Sequence, residues 1–488
     1  MREFKVRNGS YLKSKNKTSD MMYTILIILS FFILFSTYKN GIYPVIKGYG
    51  SLYLVFKPLI FAVVASITGL LTEYLYYLIR KNKKSIYELF TENYAIIPGV
   101  FLSLVISINT PLYLVILGSI IASLSKVLTG GFGKNKLNPA LAGSLFITVI
   151  FSSLVGGYLN PYEVDTISSA TPLSNMTAGS YVLTYDKLVA PFGSLLNFFF
   201  GNIPGAIGET SSLLCIVSFI YLTYKKMIKW RIPVSYVLTV VLISSVICIT
   251  KDIGLWFILF NILSGGLLFG AVFMATDPVT TPITNTGQLI SGVLLGIITM
   301  FIRYLTPLPE GVLISILIVN LITILINYLS IKLYSKKIIK ISLIILSTII
   351  ALLLGVIIST KVLNKEPDDS FSILSKTKSG NITTYEVMGR GYAGKNSLKL
   401  KIVFTSGNIS NIELLKSNET YTAIIKDNNY LDKIKNNQNN LDNLDTISGC
   451  TYSTKYLKEM VTKTIEDYNK KFSFFSLDPV VSKGVRKP

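Results

Sequence analysis

The sequence predicts a polytopic α-helical membrane protein that carries a small α+β domain at its C-terminal end. Three observations indicate this fold class. Half of the 488 residues are hydrophobic and only 15% are charged, whereas globular proteins carry about 25% charged residues. Apolar runs long enough to cross a bilayer recur until about residue 360. Beyond that point the chain becomes polar and its hydrophobic period changes.

Eleven apolar segments are predicted to span the membrane, so we expect about 10 to 11 transmembrane helices. They cover residues 21–37, 58–79, 93–109, 111–127, 138–156, 211–224, 233–250, 255–275, 288–302, 311–331 and 341–360. The third and fourth segments are joined tightly at Asn109-Thr110-Pro111, so a re-entrant pair is the alternative for these two. No cleavable signal peptide is expected, because the first apolar run lacks a small-residue cleavage site.

The distribution of basic residues predicts the orientation of the chain. With a cytoplasmic N-terminus, 21 basic residues fall in segments on the inside and 6 in short segments on the outside. Lysine and arginine are retained on the cytoplasmic side of membrane proteins. The odd number of spans then places everything after residue 361 outside the cytoplasm. We therefore predict a multi-pass protein of the cell (inner or plasma) membrane with an extracytoplasmic C-terminal domain.

The C-terminal domain is predicted from its periodicity. Residues 362–381 are polar and linker-like, whereas alternation from Ile382 to about Leu415 is typical of strands. Apolar residues from about Ser453 to Phe472 recur at helical spacing. The predicted domains are therefore a transmembrane domain at 1–340, an anchor helix at 341–361 and an extracytoplasmic domain at 362–488.

The residue types that the chain lacks exclude several chemistries. It has no histidine, which excludes imidazole-bound haem or zinc and any catalytic site built on histidine. Cys215, Cys248 and Cys450 are far apart in sequence, so no metal site is predicted. The formal net charge of +21 would suggest nucleic acid in a soluble protein. Here the basic residues lie between apolar segments, and no nucleic-acid partner is expected.

Two seven-residue stretches resemble each other and end in threonine. They are Asp165-Thr166-Ile167-Ser168-Ser169-Ala170-Thr171 and Asp445-Thr446-Ile447-Ser448-Gly449-Cys450-Thr451, with 5 identical positions. Ser/Thr-rich turns that cap helices are the simpler explanation. Both stretches nevertheless lie outside the membrane in the predicted topology. Small residues let backbone N–H groups approach an anion, and each final threonine supplies a hydroxyl that can carry a phosphoryl group.

Longer motifs resemble two known families. Residues up to about 340 resemble the RnfD/NqrB membrane subunits of ion-translocating electron-transport complexes, RnfD more closely, and residues from about 341 resemble the RnfG/NqrC FMN-binding domain. The motifs of the first part are Gly130-Gly131-Phe132-Gly133-Lys134-Asn135-Lys136-Leu137-Asn138-Pro139-Ala140, Ser169-Ala170-Thr171-Pro172-Leu173, the stretch from Gly201 to Ser211, the stretch from Phe273 to Pro282, Gly287-Gln288 and Leu308-Pro309-Glu310-Gly311. Those of the second part are Gly391-Tyr392-Ala393-Gly394, Glu419-Thr420 and Ser448-Gly449-Cys450-Thr451.

The resemblance implies two covalent flavins. In these families a flavin transferase attaches FMN through its phosphate to a threonine hydroxyl outside the cytoplasm, which here means Thr171 and Thr451. The other expected cofactor-binding residues are Asp165, Ser168, Ser169, Ala170, Asp445, Ser448, Gly449, Cys450, Glu209 and Thr210. Cys450 stands where the family usually has alanine, and a thiol is only slightly larger than a methyl group.

The resemblance also implies the function. The chain is expected to be a redox subunit of an Rnf-type oxidoreductase of the translocase class, which passes electrons between its FMNs and is coupled to Na⁺ or H⁺ translocation. It is expected to need other membrane and peripheral subunits for activity, so no catalytic residue of its own is assigned. A noncovalent riboflavin or FMN, held partly by the glycine-rich stretch from Leu128 to Ala140, is the remaining cofactor that the resemblance suggests.

Alternatives remain open from the sequence alone. A flavin relay to an extracellular acceptor would need no ion pumping, and a secondary transporter with an extracytoplasmic binding domain would need no flavin. Glu73 lies within a span, where a charge is costly, and either a buried polar partner or an ion pathway explains it. Arg303 is expected to pair with Glu310 or to approach a flavin. Cys215 and Cys248 are expected to be inert core residues.

Overall fold

The computed structural model describes residues 18–48, 51–81, 84–152, 154–155, 157–159, 171–178, 181–306, 308, 310–332, 337–363, 371–391, 394–417, 422–438, 441, 444–447 and 450–473. The chain forms two compact units. The membrane unit comprises residues 1–177 and 183–362, and the C-terminal unit comprises residues 178–182 and 363–488. Each is described by itself below.

The regular elements described in the membrane unit are helices. Its α-helices are α1 (Thr18–Thr37), α2 (Tyr43–Ile46), α3 (Leu52–Ile79), α4 (Ile86–Thr91), α5 (Ile97–Val105), α6 (Leu112–Leu128), α7 (Pro139–Ile150), α8 (Pro172–Ala178), α9 (Tyr185–Leu188), α10 (Leu195–Phe200), α11 (Ser212–Tyr224), α12 (Arg231–Lys251), α13 (Trp256–Leu263), α14 (Leu267–Phe269), α15 (Asn285–Leu305), α16 (Val312–Lys332) and α17 (Lys337–Lys361). A π-helical turn at Tyr38–Ile42 joins α1 to α2, another at Gly270–Met274 extends α14, and Ala190–Phe192 is a 3₁₀ turn.

The prediction of a polytopic helical membrane protein is confirmed. Within the described residues, 6 helices are long and apolar enough to cross a membrane, or up to 7 if one bent pair of helices forms a single span. The apolar helices α6, α7 and α11 are shorter. Large hydrophobic side chains on α1, α3 and α17, such as Phe31, Leu71 and Leu353, remain exposed in the isolated chain. Lipid covers such faces in a bilayer.

Several predicted boundaries need correction. The segment predicted at 93–109 is helical only over Ile97–Val105, because Pro98 favours a helix start and Ile106 is extended. The span predicted at 138–156 ends at Ile150. The first span continues to Ile46 through the π-helical turn. The span predicted at 255–275 is broken and bends by 59°, because Gly265 adopts a φ of +65° that ends α13.

The C-terminal unit is a four-stranded antiparallel sheet covered by helices. The strands β1 (Phe371–Ser379), β2 (Ile382–Gly391), β3 (Gly394–Thr405) and β4 (Asn408–Ser417) lie in sequence order. The helices α18 (Thr422–Asp427), α19 (Tyr430–Asn436) and α20 (Thr451–Ser473) follow. A parallel bridge between Val182 and Leu363 ties the short segment 178–182 to the start of this unit. The predicted small α+β domain is confirmed.

The core of the C-terminal unit lies between the sheet and α20. Inward residues of β2 and β3, such as Val387 and Leu400, pack with Leu457 and Val461 of α20. The prediction of a linker over 362–381 is wrong in part, because residues 371–379 form β1. That strand leaves all but its first residue exposed. It therefore lacks the alternating apolar residues that identify a strand in a sequence.

Candidate functional sites

Thr171 lies in the membrane unit directly before α8. Its hydroxyl is buried, accepts a hydrogen bond from the backbone N–H of Ser174 at 3.1 Å and contacts the Ser174 hydroxyl at 2.8 Å. This is the geometry of a helix cap, so the capping role considered from the sequence is present here. Four other predicted members of this site, Asp165, Ser168, Ser169 and Ala170, lie outside the described residues.

The break between α13 and α14 lies beside Thr171. An added Cβ on Gly265 would lie 2.8 Å from Cδ1 of Leu173 and 3.3 Å from Nη2 of Arg303. Arg303 is fully buried and donates hydrogen bonds to the carbonyls of Asn261, at 2.8 Å, and Ser264, at 3.2 Å. Its Nε has no hydrogen-bond partner, and neither has the Ser264 hydroxyl. Arg303 therefore holds the broken helix together and keeps one donor uncommitted.

Glu209 and Thr210, both predicted cofactor-binding residues, reach the same break from the other side. A Cβ on Gly266 would overlap the Glu209 carboxylate, so only glycine allows this approach. The Lys39 ammonium, which is buried, donates to the Thr210 hydroxyl at 2.9 Å. The structure therefore brings Glu209, with Thr210 next to it in sequence, and Leu173, two residues after Thr171, to the same helix break, and it adds Arg303 and Lys39. The charge count had assigned Lys39 to an outside segment.

The second predicted attachment residue, Thr451, begins α20. The Cys450 backbone N–H donates to the Ile447 carbonyl at 3.0 Å, and the Cys450 carbonyl accepts from the Thr454 N–H at 3.0 Å. The Cys450 side chain is buried in the core, so a thiol in place of alanine packs inward. Ser448, Gly449 and the Thr451 side chain lie outside the described residues and side chains.

The loop before α20 is fastened to its neighbours. Lys458 donates to the Leu444 carbonyl at 2.7 Å. Burial raises the pKa of the Tyr430 phenol to about 12; the Asp445 carboxylate raises it as well, whereas a hydrogen bond with Thr454 lowers it. Asp445 itself is exposed. Asp445 therefore lies near the first turn of α20, on the side of the motif that faces solvent.

Arg390 is a buried cation that sequence reasoning missed. It lies at the end of β2, where the pairing with β3 changes register between Gly389 and Gly391. Its Nε and Nη2 have no hydrogen-bond partner, and neither has the hydroxyl of Ser397 on β3. An arginine between two glycines at the end of a predicted strand is the signal that could have indicated it.

Glu73 has a buried partner that the sequence did not identify. Its carboxylate lies 2.7 Å from the ammonium of Lys126, and both side chains are almost fully buried. Lys126 also donates to the Asn93 carbonyl at 2.6 Å. Of the two explanations considered for Glu73, the polar partner is present. Lys126 is one of the 21 basic residues that the charge count assigned to the inside segments, and the structure buries it among the helices.

A cavity of about 80 Å³ lies between two of the sequence motifs of the membrane unit. Phe132 and Asn138 line it from the glycine-rich stretch, Phe273 and Asp277 from the stretch that ends at Pro282, and Lys126 from α6. Typical ligand pockets measure about 300–1,000 Å³. A flavin would fit here only if the lining residues moved.

Both parts of the chain match known protein families. Residues 5–340 match the model of the NQR2, RnfD, RnfE family, and residues 391–466 match the FMN-binding domain. The chain is 32% identical over 324 residues to a subunit of the proton-translocating ferredoxin:NAD(+) oxidoreductase complex of Clostridium ljungdahlii, covering 65% of this chain and 91% of that protein.

Two further relatives cover less of the chain. A subunit of the Na(+)-translocating ferredoxin:NAD(+) oxidoreductase complex of Acetobacterium woodii is 35% identical over 229 residues, which is 46% of this chain and 67% of that protein. A subunit of the Na(+)-translocating NADH-quinone reductase of Klebsiella pneumoniae subsp. pneumoniae is 32% identical over 231 residues, which is 46% of this chain and 56% of that protein.

Proposed function

Since the chain belongs to the NQR2, RnfD, RnfE family and carries an FMN-binding domain, we propose that it is the flavin-carrying membrane subunit of an Rnf-type electron-transport complex. It passes electrons between one FMN esterified to Thr171 and another esterified to Thr451. Electron flow is coupled to translocation of Na⁺ or H⁺. Partner subunits supply and accept the electrons, and the chain is inactive without them.

One observation carries the proposal: in each unit, a residue shortly after the final threonine of the repeated motif lies close to a buried arginine, and among the described residues that arginine keeps an uncommitted donor. Leu173, two residues after Thr171, and Arg303 both lie close to Gly265. Thr451 begins the helix whose Tyr456 ring lies 5.9 Å from Cζ of Arg390. A buried unpaired donor costs about 1–3 kcal/mol. Arginines that keep such donors in both units therefore fit an anionic cofactor at each threonine.

The chain supplies attachment and environment, and bound FMN supplies the electron chemistry. In each attachment the threonine oxygen bonds to the FMN phosphorus of a flavin dinucleotide donor, the phosphoanhydride bond of the donor breaks, the nucleoside monophosphate leaves and the hydroxyl proton is released. The protein therefore gains the mass of FMN less one water. A flavin transferase performs this step. The esterified Thr171 oxygen carries no proton, so it can no longer donate to the Ser174 hydroxyl, but it can still accept from the Ser174 backbone N–H.

The test is the mass of the purified full chain made with a flavin transferase. We expect the mass of two FMN units less two waters, and flavin fluorescence that survives a denaturing gel. Thr171→Val and Thr451→Val should each lose one unit, because each removes one esterifiable oxygen. Thr177→Val and Thr462→Val are matched controls, since Thr177 lies in α8 and Thr462 lies in α20. Both controls should keep two units.

Other outcomes would contradict parts of this proposal. Two covalent flavins on Thr451→Val would exclude Thr451 as an attachment site, and the same result for Thr171→Val would exclude Thr171. If neither change removed a flavin, both motifs would be ordinary capping turns. We also propose a noncovalent riboflavin or FMN next to the cavity lined by Phe132 and Asp277. A flavin that denaturation releases from the variant with both Thr171→Val and Thr451→Val would be this noncovalent flavin.

We further propose that the N-terminus is cytoplasmic and that the C-terminal unit is extracytoplasmic, as the 21-to-6 distribution of basic residues predicts. Single cysteines at positions 16 and 408, in a background without the native cysteines, test this with a membrane-impermeant reagent on intact cells. Asn408 is exposed, so its replacement should react, whereas the one at position 16 should not. The opposite labelling pattern would invert the topology.

A further inference from the structure

The sheet of the C-terminal unit turns one arginine inward. Thr383, Tyr385, Val387 and Gly389 form the buried face of β2, so strict alternation would point the next residue, Arg390, outward. Instead the change of register at this point leaves Arg390 with only 3% of its surface exposed. Irregular pairing of this kind redirects side chains in sheets.

Within the part of the chain that the structure describes, the inward guanidinium is only partly satisfied. Nε and Nη2 of Arg390 have no hydrogen-bond partner, and no carboxylate among the described residues forms an ion pair with it. On the adjacent strand, Leu398 pairs with Gly389, and Ser397 precedes Leu398. The Ser397 hydroxyl is also buried without a partner. Two unpaired polar side chains therefore lie next to each other at the end of β2.

This end of the sheet packs against the first turns of α20. The Tyr456 ring lies 5.9 Å from Cζ of Arg390, and an added Cβ on Gly389 would overlap Met460. Thr451 begins the same helix, and five residues correspond to about 7.5 Å along a helix axis. Side chains on a helix lean toward its N-terminus. Arg390 therefore lies within reach of a group attached to Thr451.

A buried cation without partners is costly, and an anion at hydrogen-bond distance offsets that cost. FMN esterified to Thr451 carries one anion permanently, on the phosphodiester, and can gain a second when reduction adds negative charge to the isoalloxazine ring. We propose that Arg390, with Ser397 beside it, is the counter-ion for an anionic group of the FMN on Thr451. This inference rests on the proposed function.

The experiment uses the full chain with Thr171→Val, so that Thr451 carries the one expected covalent flavin. Arg390→Met removes the charge at similar volume, and Arg390→Lys retains it. Lys399→Met is the matched control, because Lys399 lies on the opposite face of β3 from Leu398 and Leu400 and pairs with Glu386. Intact mass gives the occupancy, and visible absorbance during a redox titration gives the midpoint potential.

We expect Arg390→Met to change one of these two quantities about tenfold and Arg390→Lys to restore most of it. Contact with the phosphodiester would lower the occupancy. Contact with the ring would leave the occupancy unchanged and weaken the preference for reduced flavin tenfold, which lowers the potential of a two-electron couple by about 30 mV. Either result supports the counter-ion role and identifies the group that Arg390 binds.

The inference would be overturned if Arg390→Met had the same FMN occupancy and the same midpoint potential as Lys399→Met. A parent chain that lacks the FMN mass would instead overturn the Thr451 assignment and this inference with it. A purely structural role for Arg390 predicts that Arg390→Lys, which lacks the planar fork of arginine, opens the core of the unflavinylated unit. The labelling rate of Cys450, which lies buried in that core, reports such opening. Faster labelling with unchanged flavin properties would also refute the inference.

Discussion

Among the described residues each unit buries one arginine, and the two arginines are satisfied to different degrees. Arg303 of the membrane unit donates to two backbone carbonyls where α13 ends, and its neighbour Tyr304 binds the Asn261 side chain at 2.9 Å. Arg390 of the C-terminal unit has two nitrogens without partners at the end of a strand. Arg303 thus completes the fold around it, whereas Arg390 leaves most of its donors for another molecule.

This difference separates two uses of a buried charge. Backbone carbonyls released by a helix break must find donors inside a membrane, because no water is available. Arg303 supplies them with two of its nitrogens, so only its Nε remains for a cofactor. Arg390 has no such task. The comparison predicts that loss of Arg303 affects stability first and that loss of Arg390 affects flavin first.

The largest loss of stability is expected at the buried ion pair between Glu73 and Lys126. This paired charge is the reference for the two arginines. Glu73→Gln leaves the buried Lys126 ammonium without its counter-charge, and we expect the membrane unit to lose about 3–5 kcal/mol of stability. Labelling of the buried Cys215 during thermal denaturation in detergent measures this unit, once Cys248 and Cys450 are replaced by alanine.

Two variants test whether the lost pairing causes this effect. Glu73→Gln combined with Lys126→Met should recover much of the stability, because no unpaired charge remains. Glu92→Gln, the same chemical change at an exposed site, should have little effect. If the double variant were less stable than Glu73→Gln alone, the pair would not be the cause.

A smaller effect is expected at the two arginines. Arg303→Met leaves the carbonyls of Asn261 and Ser264 unpaired but also removes a buried charge, so we expect a loss of about 2 kcal/mol in the membrane unit. Arg390→Met removes a buried cation with unpaired donors, so it should stabilise the unflavinylated C-terminal unit by about 1 kcal/mol. Labelling of Cys215 measures the stability of the membrane unit in Arg303→Met, and labelling of Cys450 measures that of the C-terminal unit in Arg390→Met.

Equal destabilisation by the two changes would remove the distinction between the arginines. If Arg390→Met cost more stability than Arg303→Met, Arg390 would be the structural residue of the two. Arg303→Lys separates charge from geometry in the membrane unit. Its single ammonium cannot reach both carbonyls as the guanidinium fork does, so it should recover only part of the loss.

Much of the fold could be predicted because long apolar runs and regular periods are local features. Each of the eleven predicted spans coincides with a helix or a bent pair of helices. Boundaries were less predictable where the backbone leaves the helix within an apolar run. At Gly265 hydropathy stays high across the break, so only the positive φ of one glycine marks it. The nine-residue helix Ile97–Val105 shows the same difficulty.

The sequence predicted the motifs of the candidate sites, but it did not predict which distant residues lie next to them. The two threonines were found because their motifs repeat, and Glu209 and Thr210 were found through the family resemblance. The charge count assigned Lys126 to an inside segment and Lys39 and Arg303 to outside segments, because such a count uses only position along the chain and contains no information on burial. Their burial depends on partners that are 33 or more residues away in sequence, such as Thr210 for Lys39. No local pattern contains that information.

The polar strand β1 has a consequence for how these proteins coexist in a crowded membrane. It is an edge strand of the sheet, and an unpaired edge can recruit a strand from another molecule and start aggregation. Lys376 and Lys378 lie on this edge, and its register shifts between Ile373 and Ser375. Charges and irregular pairing make an edge a poor template for another strand. The C-terminal units of neighbouring copies should therefore remain separate at high density.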